Sequence, residues 1–215
     1  MKKVLTHAKL ILTARSFCKG NHVYAELFGV TDGKAVGTFI EHKFQELLAS
    51  RYEVQIGSSA SGLDLPLLGA DIKVTSVRQP QSSCPFQSAR QKIYGLGYHL
   101  LLFVYDKQDN PKGKAAKLVF SNCAFIDKSR TADYQTTRGL LETLDRGGNR
   151  DDILAFLYDR NLPGDEIVYN HLADEIIQSP PTLGYLTISN ALQWRLQYSR
   201  VVSLQEAIPG IVKII

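Results

Sequence analysis

Residues 63–76 read LDLPLLGADIKVTS and set Asp64, Asp71 and Lys73 among Leu65, Leu67, Leu68, Ile72 and Val74. Charges in apolar surroundings are costly unless they are paired or hold a metal. The segment is therefore an ion-pair site or a catalytic one. If Asp71-Ile72-Lys73 is extended, side-chain alternation puts Asp71 and Lys73 on one face and Ile72 on the other. Asp64, across a bend marked by Pro66 and Gly69, falls beside them on a paired strand. Glu41 lies in a preceding helical stretch with Phe44 and Leu48 as core contacts, and it converges on the same point. Metal-assisted phosphodiester hydrolysis needs such a set. Mg²⁺ takes oxygen ligands and keeps several waters, so one or two carboxylates on a rigid strand suffice. The cation activates a water and neutralises transition-state charge, while the lysine orients that water or offsets phosphate charge. Asp64, Asp71 and Glu41 are the candidate metal ligands, with Lys73 completing the candidate catalytic group. The bland alternative is a surface strand with a salt-bridged lysine, a common and weak feature.

The flanking elements have to position these groups. GTFIEHKFQELLASRY (37–52) has a helical apolar period, preceded by a turn-rich TDGKAVG (31–37) and a helix within MKKVLTHAKLILTARSF. EVQIG (53–57) alternates as a strand, and LDLPLLGADIKVTSV continues as strand after the SSASG turn. FQSARQKIYGLG reads as a helix ended by glycine. YHLLLFVYDK (98–107) reads as a buried central strand, and AAKLVFSNCAFI (115–126) as another. Beyond Asp127, TRGLLETLDR, DDILAFLYDR, DEIVYNHLADEII and SNALQWRLQYSR all have helical spacing. The expected fold is α/β: one domain over residues 1–215, with a catalytic core at 35–126 and a mainly helical region at 127–215.

Asp64…Asp71-Ile72-Lys73 resembles the motif of the PD-(D/E)xK nuclease superfamily, in which an upstream helical glutamate such as Glu41 recurs. The order helix, acid-bearing strands, helix and buried strand is similar to that superfamily's core, a mixed central β-sheet flanked by helices, over residues 35–126. The proline departs from the pattern, following the first acid by two residues instead of preceding it. In size and in its helical C-terminal region, the chain most resembles a type II restriction endonuclease. The resemblance implies Mg²⁺-dependent, sequence-specific cleavage of double-stranded DNA by a homodimer, with the helical region at 127–215 serving DNA recognition or dimerisation. A resolvase or repair nuclease of the same superfamily, or a DNA-binding protein without catalysis, remain alternatives.

The charge distribution agrees with a polyanionic partner. The net charge is only +4. Yet residues 72–105 hold no acid but do hold Lys73, Arg78, Arg90 and Lys92, and residues 177–205 hold no acid but do hold Arg195 and Arg200. Carboxylates near a phosphate-binding surface would oppose the counterion release that drives binding. In the loop after the motif, Arg78, Gln81, Ser82, Ser83, Arg90 and Lys92 form an inventory of donors for phosphates and base edges. TISNALQWRLQYSR (187–200), read as a helix, lines up Asn190, Gln193, Gln197 and Arg200 on one face. Amides suit adenine edges and arginine suits guanine. TADYQTTRG (131–139), with Arg130 and Arg138, is a second candidate. Other plans lack support: there is no P-loop, GxGxxG, GxSxG or HExxH. Three widely spaced cysteines indicate neither disulfides nor a zinc ribbon. No signal peptide is expected, and no apolar run approaches the ~18 residues of a membrane span. A reducing, cytoplasmic setting follows as the default.

Overall fold

The computed structural model describes residues 2–57, 62–83, 88–189 and 195–215. Its elements, in chain order, begin with β1 (Lys3–Val4), α1 (His7–Cys18), β2 (His22–Tyr24), α2 (Gly33–Arg51) and β3 (Tyr52–Glu53). A 3₁₀ turn (Pro66–Leu68) leads to β4 (Ala70–Ser76), β5 (Gln81–Ser83), α3 (Arg90–Tyr94), β6 (His99–Asn110) and β7 (Ala115–Ile126). Then come α4 (Tyr134–Asp145), α5 (Arg150–Asp159), α6 (Glu166–Gln178), β8 (Thr187–Ile188), β9 (Arg195–Gln197), α7 (Ser199–Val202) and β10 (Ile211–Lys213). These gather into two compact units. The first is residues 1–80, 99–126 and 207–215; the second is 81–98 and 127–206.

The first unit is built on a mixed sheet flanked by helices. Its order is β10-β7-β6-β4, with β2 also paired to β7. The apolar run in β6 is buried on both faces, as its composition requires. β4 runs parallel to β6 and β7 antiparallel to it. Leu101, Phe103 and Phe120 pack into one core with Leu10 and Phe17 of α1 and Ile40, Phe44 and Leu48 of α2. The turn-rich segment before α2 contributes to the helix, which starts at Gly33 because the Asp32 side chain accepts from the Lys34 amide. The expected strand at 53–57 shrinks to Tyr52–Glu53, paired with Lys3–Val4. The acid-bearing strand starts only at Ala70. Pro66 opens a 3₁₀ turn that Gly69 closes at φ +55°, a backbone glycine adopts readily.

The second unit packs α3, α4, α5 and α6 around Ile93, Leu140, Ile153, Leu157, Leu172 and Ile176. The helices expected near 137, 151 and 165 form. Capping aspartates and an asparagine fix their starts: Asp133, Asn149 and Asp165 accept from their first-turn amides. Of the helix expected at 187–200, the described residues show helix only from Ser199 onward. Thr187–Ile188 and Arg195–Gln197 are strands, joined with Gln81–Ser83 into a sheet of order β5-β9-β8. Arg195, Leu196, Gln197 and Tyr198 alternate between exposed and buried, a period of two that the sequence also carries. Asn190 and Gln193 lie outside the described residues. Among the described residues, no helix is long and apolar enough to cross a membrane.

Candidate active site

β4 is the edge of its sheet, and Asp71 and Lys73 share one face of it. Lys73 Nζ lies 2.6 Å from Asp71 Oδ2. Asp64 reaches them because Leu65 and Ala70 exchange backbone hydrogen bonds across the 3₁₀ turn, folding residue 64 back beside residue 71. The Ile72 amide donates to Asp64 Oδ2 at 2.7 Å, which locks that carboxylate onto the strand. Asp64 is also within side-chain hydrogen-bonding reach of Asp71 and of Glu41. Glu41 comes down from α2, whose close approach depends on glycine. A Cβ at Gly37, one turn before Glu41, would stand 3.1 Å from the Val74 carbonyl oxygen of β4. All four residues proposed from sequence therefore meet at one point.

A fifth residue joins them. Gln45, one further turn along α2, donates from Nε2 to Asp64 Oδ1 at 3.3 Å and to Glu41 Oε1 at 3.5 Å. Sequence reasoning passed over it, although its i+4 spacing from Glu41 places it on the same helix face. An amide holding two carboxylates orients them without adding charge. Gln45→Leu is expected to weaken divalent-cation binding at these carboxylates about 10-fold, the scale of lost supporting contacts around metal ligands, read as the dissociation constant in a Mn²⁺ titration. An unchanged constant would show that the amide only packs.

The electrostatics show a site short of positive charge. Burial is the main cause that lifts Asp71 to about 6, with the Asp64 hydrogen bond adding and Lys73 opposing. Burial likewise raises Asp64 and Glu41. For Lys73 burial acts to lower the pKa, but Asp71, then Asp64 and Glu41, overcome it and the ammonium is held charged. Two adjacent carboxylates share a hydrogen bond only if one carries a proton, so without a cation the pair holds that proton to a higher pH than a lone carboxylate would, and a bound cation would displace it. The donors are all oxygens, which suits a hard divalent ion. Among the described residues, no three carboxylate, thiol or imidazole groups already surround a common cation position. Mg²⁺ does not need three, because waters and a substrate phosphate fill its shell, and the Asp64–Asp71 pair fits it.

The residues proposed for DNA contact have varied surroundings. Arg78 is exposed in the turn that follows β4. In the second unit, Gln81 and Ser83 lie on one face of β5, while the Ser82 hydroxyl turns to Tyr198 Oη. Arg90 is held by Glu175, with Nε donating to Oε2 at 3.0 Å, and lies over the Tyr94 ring. Lys92 is buried at 3% exposure and lines a cavity of about 240 Å³ with Asp133, Gln135, Thr136 and Arg160; burial lowers its pKa. Gln197 is exposed on β9. Arg200 stacks 3.5 Å from the Tyr134 ring centroid, and its buried Nε has no hydrogen-bond partner among the described residues. In the second candidate segment, Arg138 pairs with Glu142 at 2.7 Å and Arg130 donates to the Leu183 carbonyl at 3.0 Å.

Comparison with known proteins bears on the whole chain. A family model described as type II restriction enzyme NspV matches residues 4–213. The curated type II restriction enzyme NspV of Nostoc sp. (strain ATCC 29411 / PCC 7524) is 54% identical over 213 residues, covering 98% of this chain and 97% of that protein. No solved structure matches.

Proposed function

The chain belongs to the family of type II restriction enzyme NspV, and on that premise we propose that it cuts double-stranded DNA at a specific sequence, with Glu41, Asp64, Asp71 and Lys73 as its active site. The observation that carries the assignment is the convergence of three carboxylates, Asp71 buried and Asp64 and Glu41 half-buried, and one ammonium on the edge of β4. Asp64 and Asp71 would hold a divalent cation, Mg²⁺ in the cell, with Glu41, within hydrogen-bonding reach of Asp64, as the third candidate ligand. Bound there, the cation supplies Lewis acidity toward the scissile phosphate and the attacking water. Lys73 lies beside Asp71, where its ammonium meets the charge that builds on phosphate oxygens as the new O–P bond forms and the P–O ester bond breaks. The Ile72 amide keeps Asp64 in place throughout, and Gln45 orients Asp64 and Glu41. One such site cuts one strand. A homodimer with isologous symmetry brings two sites to a palindromic target, which is the arrangement we infer.

Family membership favours this reading over a resolvase or a repair nuclease, and the converging carboxylates, with Asp71 buried among them, favour it over a DNA-binding protein without catalysis. Incubating the protein with plasmid DNA tests it. With Mg²⁺, discrete fragments whose ends share one sequence are expected, and with EDTA no cleavage. Random degradation, or no cleavage in any divalent cation, would contradict the proposal.

A further inference from the structure

The three-stranded sheet of the second unit presents one face with a composition that structural packing does not explain. Directly opposed residues in a sheet point to the same side. Gln81, Gln197 and Thr187 form one row across β5, β9 and β8, and Ser83 opposes Arg195 in the next. The intervening row, Ser82, Leu196 and Ile188, points to the other side. Leu196 and Ile188 are buried there and Ser82 meets Tyr198. The sheet is thus anchored from behind and offers two amides, two hydroxyls and a guanidinium in front, with no carboxylate among them.

Arg195 differs from its neighbours in the same unit. Arg90, Arg138 and Arg150 are each neutralised by an acid, Glu175, Glu142 and Asp174 respectively, and Arg200 is stacked on Tyr134. Arg195 is exposed, and among the described residues no acid pairs with it. Its strand is nonetheless fixed. The Arg195 amide donates to Ser189 Oγ at 3.0 Å, and the Ser189 amide returns a bond to the Arg195 carbonyl at 3.1 Å. β8 is tied in turn, because the Ile188 amide donates to Asp133 Oδ2 at 2.8 Å. Asp133 is itself buried and held by the Thr136 amide and hydroxyl. A rigid platform of this kind presents side chains at fixed spacing without an ordering cost on binding.

We propose that this face of the β5-β9-β8 sheet is the base-reading surface, entering the major groove of double-stranded DNA with Gln197 and Arg195 as its specificity-determining contacts. The major groove admits a β-ribbon as well as a helix. A glutamine amide matches the adenine N6/N7 edge, and a guanidinium fork matches guanine O6/N7. Gln81, Thr187 and Ser83 border the two central contacts. The proposal rests on the reading of the chain as a site-specific endonuclease and adds which element reads the site.

The test first defines the target by sequencing fragment ends from a wild-type digest of bacteriophage or plasmid DNA. Duplexes carrying each single base-pair change in that target are then cut by wild type, Gln197→Ala, Arg195→Ala and Arg195→Lys. Gln197→Ala is expected to lose ~10-fold or more of its discrimination at one base-pair position and its symmetry mate, with the other positions unchanged. Arg195→Lys, which keeps the charge but loses the fork, is expected to relax discrimination nearly as much as Arg195→Ala. All three substitutions lie on an exposed face, so melting temperatures should stay close to wild type. Equal loss on every sequence, or rescue of Arg195→Ala by lysine, would assign these side chains to phosphates and overturn the proposal, as would no effect at all. Failure of the wild type to cut at a defined site would instead count against the functional reading itself.

Discussion

Asp71→Asn and Lys73→Ala proteins are each expected to cleave DNA about 10³-fold more slowly than the parent at saturating Mg²⁺. One preorganised electrostatic contact to a transition state is worth about 10²–10³ in rate. Asp71, proposed as a cation ligand, is also the partner that holds Lys73 at 2.6 Å. Residues that act as a unit lose activity together, not additively. The double variant should therefore be scarcely worse than either single one, whereas independent roles would multiply the losses. Binding to the target in EDTA should change by less than about 10-fold, since the losses fall on the chemical step and not on docking. Gel-shift affinities beside single-turnover rates separate the two. If Asp71→Asn cuts as fast as the parent, the active-site assignment fails.

The same substitution is expected to stabilise the metal-free protein at neutral pH. The Asp71 carboxyl stands at about 6 in the folded chain against 3.8 ordinarily, with burial as the first cause. A raised value means that the folded state holds the proton more tightly than the unfolded one. The resulting stabilisation is fully present below pH 3.8 and is lost as pH rises through about 6. The difference corresponds to about 3 kcal/mol if none is shared with Asp64, and less if the pair titrates together. Lys73 already moderates it, since its attraction is contained in the value. Asp71→Asn removes the penalty. In EDTA at pH 7.5 it should melt several degrees above the parent, at ~2–4 °C per kcal/mol for a chain of this size. Near pH 4 the gap should close. Mg²⁺ should raise the melting temperature of the parent and leave that of the variant nearly unchanged. A variant that melts lower than the parent at pH 7.5 in EDTA would show that Asp71 serves as a structural ion-pair partner. This is a stability cost kept at a functional site, where activity needs charges that the metal-free fold would rather not hold.

Much of the site was legible because it depends on short-range geometry. Alternation along a strand puts Asp71 with Lys73, a bend returns Asp64, and helical spacing lines Glu41 up with the α2 core residues. The bend itself was less legible. Pro66 and Gly69 form a 3₁₀ turn, so the strand is shorter than its apolar pattern implied. Contacts between distant segments stayed hidden. Arg90 looked like a phosphate ligand until Glu175, 85 residues on, took its charge. The sequence of residues 190–198 carried two periods at once, with the amides Asn190, Gln193 and Gln197 at helical steps and Leu196 and Tyr198 two positions apart. The second prevailed because Gln81–Ser83, more than a hundred residues earlier, pairs with that strand. Pairing of that kind leaves no local trace in sequence. The Ile72 amide, which fixes Asp64, has no side-chain signature at all.

The most direct measurement is the anomalous scattering of Mn²⁺ soaked into crystals of the protein bound to its DNA target. One Mn²⁺ peak is expected within about 2.0–2.4 Å of carboxylate oxygens from both Asp64 and Asp71, with Lys73 Nζ beside the scissile phosphate. A cation coordinated elsewhere, with Asp71 still closed on Lys73 and facing no phosphate, would contradict the active-site assignment.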